Sequence, residues 1–137
     1  MLDPLILEKT KNSPEIILNQ STGIFKIAGR SIVENPGKFY DPIYDWIKKY
    51  CMQPLAHTDF VFDLEYFNSS SARQVMEIIM LLEGIKKQKG KTVRILWMYE
   101  EGDLMAKERG EEMQLVAELD FALQSYPSEG DDEDFEI

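Results

Sequence analysis

The chain has 137 residues with 25 acidic and 15 basic side chains, a net charge of −10. That length suits one domain able to bury a real core, and the apolar and aromatic content argues against disorder over most of it. An acidic chain without clustered Lys and Arg is a poor binder of nucleic acid, and no apolar run approaches the span of a bilayer. The amino end, Met1-Leu2-Asp3-Pro4, lacks the basic and apolar regions of a secretory leader. A cytoplasmic protein with no membrane association is expected. Cys51 is the single cysteine, so no internal disulfide forms.

In chain order, Leu5-Ile6-Leu7 reads as a short edge strand or a loosely held arm. Glu15–Leu18 and Ile24–Ala28 read as two strands of a hairpin, joined by a polar cluster that ends in Gly23. Asn35-Pro36 and Asp41-Pro42 each resemble a helix start, which predicts a helix that begins twice. Phe39, Ile43, Trp46, Ile47 and Tyr50 fall at helical spacing on its buried stripe. Phe60–Phe67 alternates as a strand, with Phe60, Phe62, Leu64 and Tyr66 on one face and Val61, Asp63, Glu65 and Phe67 on the other. A helix follows to about Lys89, with Val75, Ile78, Ile79, Leu82 and Ile85 as its stripe and Gly90 as its stop. Val93, Ile95, Trp97 and Tyr99 alternate as a further strand. Asp103 is placed to cap a third helix through Glu112 or beyond, which Gly110 weakens. Val116–Leu123 returns as a short strand or extended segment. These elements predict a single α/β domain whose strand–helix–strand units are parallel, right-handed crossovers, here assigned to residues 1–126.

The end of the chain differs. From Glu129 onward there are six acidic residues and no basic ones, which leaves nineteen acidic against fifteen basic residues in the rest. Residues 127–137 are expected to form a solvated, disordered tail.

The chemistry concentrates in Asn68-Ser69-Ser70-Ser71, between the carboxyl end of a strand and the amino end of a helix. Serines before helices usually serve as caps, and Ser71 with Gln74 fits a capping box, with Ser69 and Ser70 as alternative caps. The same place suits modification. A helix start offers unpaired amides and a positive dipole end, so a phosphoryl group gains hydrogen bonds there and adds roughly −1.5 to −2 charge at one spot. Spacing alone leaves all three serines open as acceptors.

Several stretches carry a family resemblance: Ser13-Pro14-Glu15, Thr22-Gly23, Ile27-Ala28-Gly29-Arg30-Ser31, Glu34-Asn35-Pro36, Phe39-Tyr40, Asp45-Trp46, Leu64-Glu65-Tyr66-Phe67-Asn68-Ser69-Ser70-Ser71-Ala72, Val93–Tyr99 and Glu108-Arg109-Gly110-Glu111-Glu112. Together they resemble the SiaC family of bacterial regulatory phosphoproteins, which is similar in fold to STAS domains. The resemblance implies an STAS-like mixed sheet with helices packed mainly on one face. It also implies a non-catalytic signalling adaptor in a partner-switching system. A serine/threonine kinase phosphorylates such proteins, a PP2C-type phosphatase reverses it, and the unmodified form binds and activates a diguanylate cyclase. The acceptor implied is Ser69, where the family usually has threonine. Asn68, Ser70 and Ser71 would support the loop, and Ser31, Glu34, Asn35, Phe39 and Tyr40 would contribute to partner contacts. The run Ser31-Ile32-Val33-Glu34 departs from the family, which tends to have tyrosine and proline between the serine and the glutamate.

Rival readings rest on fewer residues. His57 is the single histidine and has no companion at metal-ligand spacing, so no metal site is expected. Asp63 and Glu65, two apart on a strand, allow acid–base work in principle, and Ser69 with His57 allows a nucleophilic pair, so the alternative is a small hydrolase or transferase. No phosphate-binding or dinucleotide glycine motif occurs, so no cofactor is expected.

Overall fold

The computed structural model describes residues 1–128. Its elements are β1 (Leu5–Leu7), β2 (Glu15–Asn19), β3 (Ile24–Ser31), α1 (Pro36–Met52), β4 (His57–Phe67), α2 (Ser69–Glu83), β5 (Thr92–Glu100), α3 (Leu104–Val116) and β6 (Asp120–Tyr126). The expectation of a disordered tail falls almost wholly on residues 129–137, outside the described residues.

Six strands form one sheet in sequence order, β1 to β6. The first three pair antiparallel and β3 through β6 pair parallel, each parallel step passing through one helix. The buried positions of every central strand point to the same side: Ile16 and Leu18, Phe25 and Ile27, Phe60, Phe62 and Leu64, Val93, Ile95 and Trp97. Facing them are Tyr40, Ile43, Trp46, Ile47 and Tyr50 of α1 and Val75, Ile78, Ile79 and Leu82 of α2. Each such side chain stabilises the fold by roughly 1.5–3 kcal/mol when fully buried. Helices therefore cover one face. On the other, one cross-strand row runs Ile6, Ile17, Lys26, Val61, Leu96 and Ala122, with no helix above it.

Several boundaries differ from the sequence expectations, each for a local reason. α1 does not start twice: Asn35 caps it through the Lys38 amide, and Pro42 sits inside one continuous helix. Pro42 and Lys38 are both exposed, so the carbonyl that proline leaves unpaired faces water. α2 stops at Glu83, where Gly84 hands the chain to a short 3₁₀ turn (Ile85–Lys87), and Gly90 takes a positive φ of 78° in the turn before β5. α3 runs through Val116, and β6 occupies 120–126 rather than 116–123.

The largest difference lies in β4. Gly29 of β3 pairs with Leu64 but Arg30 pairs with Tyr66, so Glu65 is an extra residue and the strand bulges. A bulge reverses the alternation beyond it. Phe67 therefore enters the core at 2% exposure, and Tyr66 turns outward at 42%, the opposite of the strict alternation expected.

Gly110 is the other feature whose reason is tertiary. α3 buries only Ala106, Gly110 and Met113, and it meets Trp97 at Ala106 and Gly110. A Cβ at Gly110 would stand 2.4 Å from the indole Cδ1, and the indole Nε1 donates to the Ala106 carbonyl at 3.0 Å. The glycine weakens the helix intrinsically but allows it to pack.

Candidate functional site

The carboxyl ends of β3 and β4 lie side by side, and the loops leaving them form one surface. Asn68 ends the extended stretch with φ −84° and ψ 177°, and its side chain accepts from the Ser71 amide at 2.9 Å. Asn68 is therefore the cap of α2, not Ser69, Ser70 or Ser71. Its carbonyl accepts from the Ala72 amide at 2.8 Å, and its own amide donates to the Ser31 carbonyl at 3.4 Å, which ties the loop to β3.

The three serines separate by burial. Ser69 and Ser70 are exposed, whereas Ser71 is completely buried. The Ser31 hydroxyl donates to the Ser71 hydroxyl at 2.8 Å, and Ser31 and Tyr40 share a further hydrogen bond of 2.7 Å. All three residues are at 0% exposure. Burial pushes the Tyr40 phenol up to about 12, an effect that the Ser31 bond partly counters. The phenol thus stays protonated at neutral pH. This chain of hydroxyls fastens the first turn of α2 to the end of β3 and the start of α1, because each polar group would otherwise be buried without a partner.

Two expectations are corrected here. Ser31 and Tyr40, placed among the partner-contacting residues, present no side-chain surface and stand behind the loop instead. Ser71 is committed to Ser31, so it is neither an accessible acceptor nor free to bind a phosphate. Glu34 and Asn35 are exposed and Phe39 is half-buried. Asn35 spends its side chain on the α1 cap.

Other residues reach the same end of the sheet that the sequence did not place among the site residues. Tyr66, turned outward by the bulge, lies under Arg30 with 5.8 Å from guanidinium to ring. Arg109 of α3 covers the Phe67 ring at 4.9 Å, and Leu104 and Met105 at the start of α3 are 68% and 62% exposed. Arg109 fell within a recognised sequence stretch. Nothing local indicated that α3 would bring it to Phe67.

The enzymatic candidates are scattered. His57 begins β4, where its ring nitrogens meet Thr92 at 2.6 Å and Asp59 at 2.8 Å. Ser69 follows the opposite end of that 11-residue strand, on the order of 30 Å away at the usual rise. A serine–histidine pair is excluded by that separation. Asp63 accepts from the Tyr126 hydroxyl at 2.8 Å on the open face of the sheet, away from the helix layer. Among the described residues no group of three His, Cys, Asp or Glu side chains is arranged to hold a metal ion, and no helix is long and apolar enough to cross a membrane. Burial pushes the Cys51 thiol up to about 11, far from a reactive thiolate.

This geometry defines a small single-domain α/β protein that offers an exposed hydroxyl at a rigid helix start, with no histidine beside it. Residues 7–126 match the SiaC family of regulatory phosphoproteins, and the chain belongs to that family. It is a regulator rather than a catalyst. An uncharacterized protein of Pseudomonas aeruginosa (strain UCBPP-PA14) is 26% identical over 125 residues, covering 91% of this chain and 98% of that one. Crystal structures agree in fold. Apo-SiaC from Pseudomonas aeruginosa superposes with a TM-score of 0.81 at 24% identity, over 90% of this chain and 99% of that one. The structure of the diguanylate cyclase SiaD in complex with its activator SiaC, from the same organism, contains a chain that superposes at 0.82 with 24% identity, over 89% and 99%.

Proposed function

We propose that this protein is an adaptor switched by reversible phosphorylation at Ser69, and that its unmodified form binds and regulates a partner enzyme of the diguanylate cyclase class. The observation that carries this reading is the division of labour in the loop. Asn68 caps α2 and Ser71 locks it from below, so Ser69 is exposed, structurally unemployed and held at the first residue of the helix. A kinase can reach it without unfolding anything. The Ser69 and Ser70 amides, at the positive end of the helix dipole, then stabilise the added charge.

A phosphate there blocks docking by like-charge repulsion and desolvation, with no refolding of the domain. Glu34, Phe39, Tyr66, Leu104 and Met105 lie at the same end of the sheet as Ser69 and supply the partner surface. A serine/threonine kinase and a PP2C-type phosphatase set the modification state, and the family match that defines the switching domain ends at residue 126. The cyclase assignment draws on the relative crystallised with its cyclase.

The test is phosphorylation by the cognate kinase, read by intact mass and site mapping, together with cyclase pull-down. Ser69→Ala should abolish the added mass while Ser70→Ala keeps it, and unmodified protein should capture the cyclase that phosphorylated protein does not. Continued phosphorylation of Ser69→Ala, or equal capture by both forms, would overturn the proposal.

A further inference from the structure

A helix start offers amides and a dipole to any phosphate placed on it, but the side chains around Ser69 add charges of their own. α2 turns Ser71, Val75, Ile78, Ile79 and Leu82 inward. Ser69 and Arg73, one turn apart, share its outward face with about 5–6 Å between Cβ atoms, and both are exposed. Ser70 is placed differently. Its counterpart one turn on is Gln74, whose side chain accepts from the Tyr44 hydroxyl at 2.5 Å, so Ser70 lies towards α1.

A second guanidinium arrives from α3. The bulge in β4 turns Phe67 into the helix layer, and Arg109 lies on that ring at 4.9 Å. Phe67 is two residues before Ser69, so the Arg109 side chain ends beside the start of α2. Neither Arg73 nor Arg109 forms an ion pair among the described residues. In a chain with 25 acidic and 15 basic side chains, two unpaired arginines beside one serine set this spot apart. Arg30, the other arginine at this end, lies on Tyr66, which the bulge turns away from the helix layer.

We propose that Arg73 and Arg109 form a clamp in cis for the phosphoryl group on Ser69. The clamp rests on the switch proposed above and supplies its mechanism. A phosphate carries three acceptor oxygens, and each guanidinium presents a planar fork that can pair with two of them. Arg73 approaches along the helix and Arg109 from the α3 side, with no change of backbone. In the unmodified chain the two arginines are free cations, and the partner they suit carries carboxylates. Phosphorylation takes the spot from two positive charges to roughly neutral. The partner loses the cations it pairs with, and its carboxylates meet the phosphate instead.

The test installs phosphoserine at position 69 of the full chain by nonsense suppression, which needs no kinase, and intact mass confirms the single phosphate. Phosphorus NMR then follows its second ionisation. The parent value should lie about one unit below the ~6 of a free phosphoserine, because neighbouring cations favour the dianion. Arg73→Gln and Arg109→Gln should each recover part of that shift and the double variant most of it, the remainder belonging to the helix amides. Equal values in parent and double variant would overturn the clamp, and so would either single substitution without effect. The unmodified double variant should also bind the cyclase about tenfold more weakly than the unmodified parent, the worth of one charge-assisted contact. Equal binding would overturn the withdrawal of the arginines from the partner. Should the unmodified parent itself fail to bind the cyclase, the adaptor reading falls, and the ionisation series still decides the clamp.

Discussion

The Ser31 hydroxyl donates to the Ser71 hydroxyl at 2.8 Å across 40 residues of sequence, in a place where neither side chain meets solvent. This one bond joins the end of β3 to the first turn of α2. Removing a buried partner of this kind leaves the other unsatisfied, at about 1–3 kcal/mol. Ser71→Ala should therefore lose that much unfolding free energy in urea, whereas Ser70→Ala, on the exposed side of the same turn, should stay within about 0.5 kcal/mol of the parent. Ser31→Ala and Ser71→Ala should also be clearly non-additive when combined. Equal effects at Ser70 and Ser71 would refute the assignment.

Asn68 is the cap and Ser69 is not. Asn68→Ala should cost about 1 kcal/mol of stability, the typical value of a lost cap, and Ser69→Ala almost none. Thermal unfolding of the two variants side by side settles the matter, and a large loss at Ser69 would return the cap to that residue.

Gly110 reverses the usual helix argument. By propensity alone Gly110→Ala would stabilise α3 by up to about 1 kcal/mol. The added methyl would instead meet Trp97 at 2.4 Å, and overpacking of a core typically costs about 1–3 kcal/mol. The substitution should be destabilising and should perturb Trp97 fluorescence. A stabilised variant would show that α3 moves off the indole without penalty.

Asp59 supplies a pH-dependent contribution. Burial raises its carboxyl, but Arg94, in a two-pronged contact at 3.0 and 3.2 Å, and His57 outweigh that and hold it below its usual value of 3.8. A depressed carboxyl favours the folded state above the unfolded value and loses that effect as pH falls through the folded one. Asp59→Asn should lower stability at pH 7 by about 0.5 kcal/mol, the scale of a solvent-screened pair. The difference between variant and parent should shrink towards zero as pH drops below 3.8. A difference that does not change with pH would locate the effect elsewhere.

Local patterns were a sound guide wherever a stripe of apolar residues met its own helical or strand period. The α1 stripe from Ile43 to Tyr50, the α2 stripe from Val75 to Leu82 and Val93, Ile95 and Trp97 of β5 are buried as their spacing implied, while Tyr99 is half-buried. The loop at Asn68–Ser71 was equally visible, since polar residues between a strand and an amphipathic helix can be little else. Its internal roles were not. Whether a serine caps, faces solvent or is buried depends on what lies across from it, and Ser31 is distant in sequence.

Composition, periodicity and the motifs thus determined an α/β domain, its helix-covered sheet and the location of its polar strand-to-helix loop, because those follow from short-range spacing. Tertiary structure alone decided that Glu65 bulges, turning Tyr66 out and Phe67 in. It decided too that Gly110 admits Trp97, that Ser31 and Tyr40 lie beneath the loop, and that Arg109 comes to lie on Phe67. Each of these depends on register or contact between segments far apart in the chain, and the free energy that selects them belongs to the pairing, not to either segment.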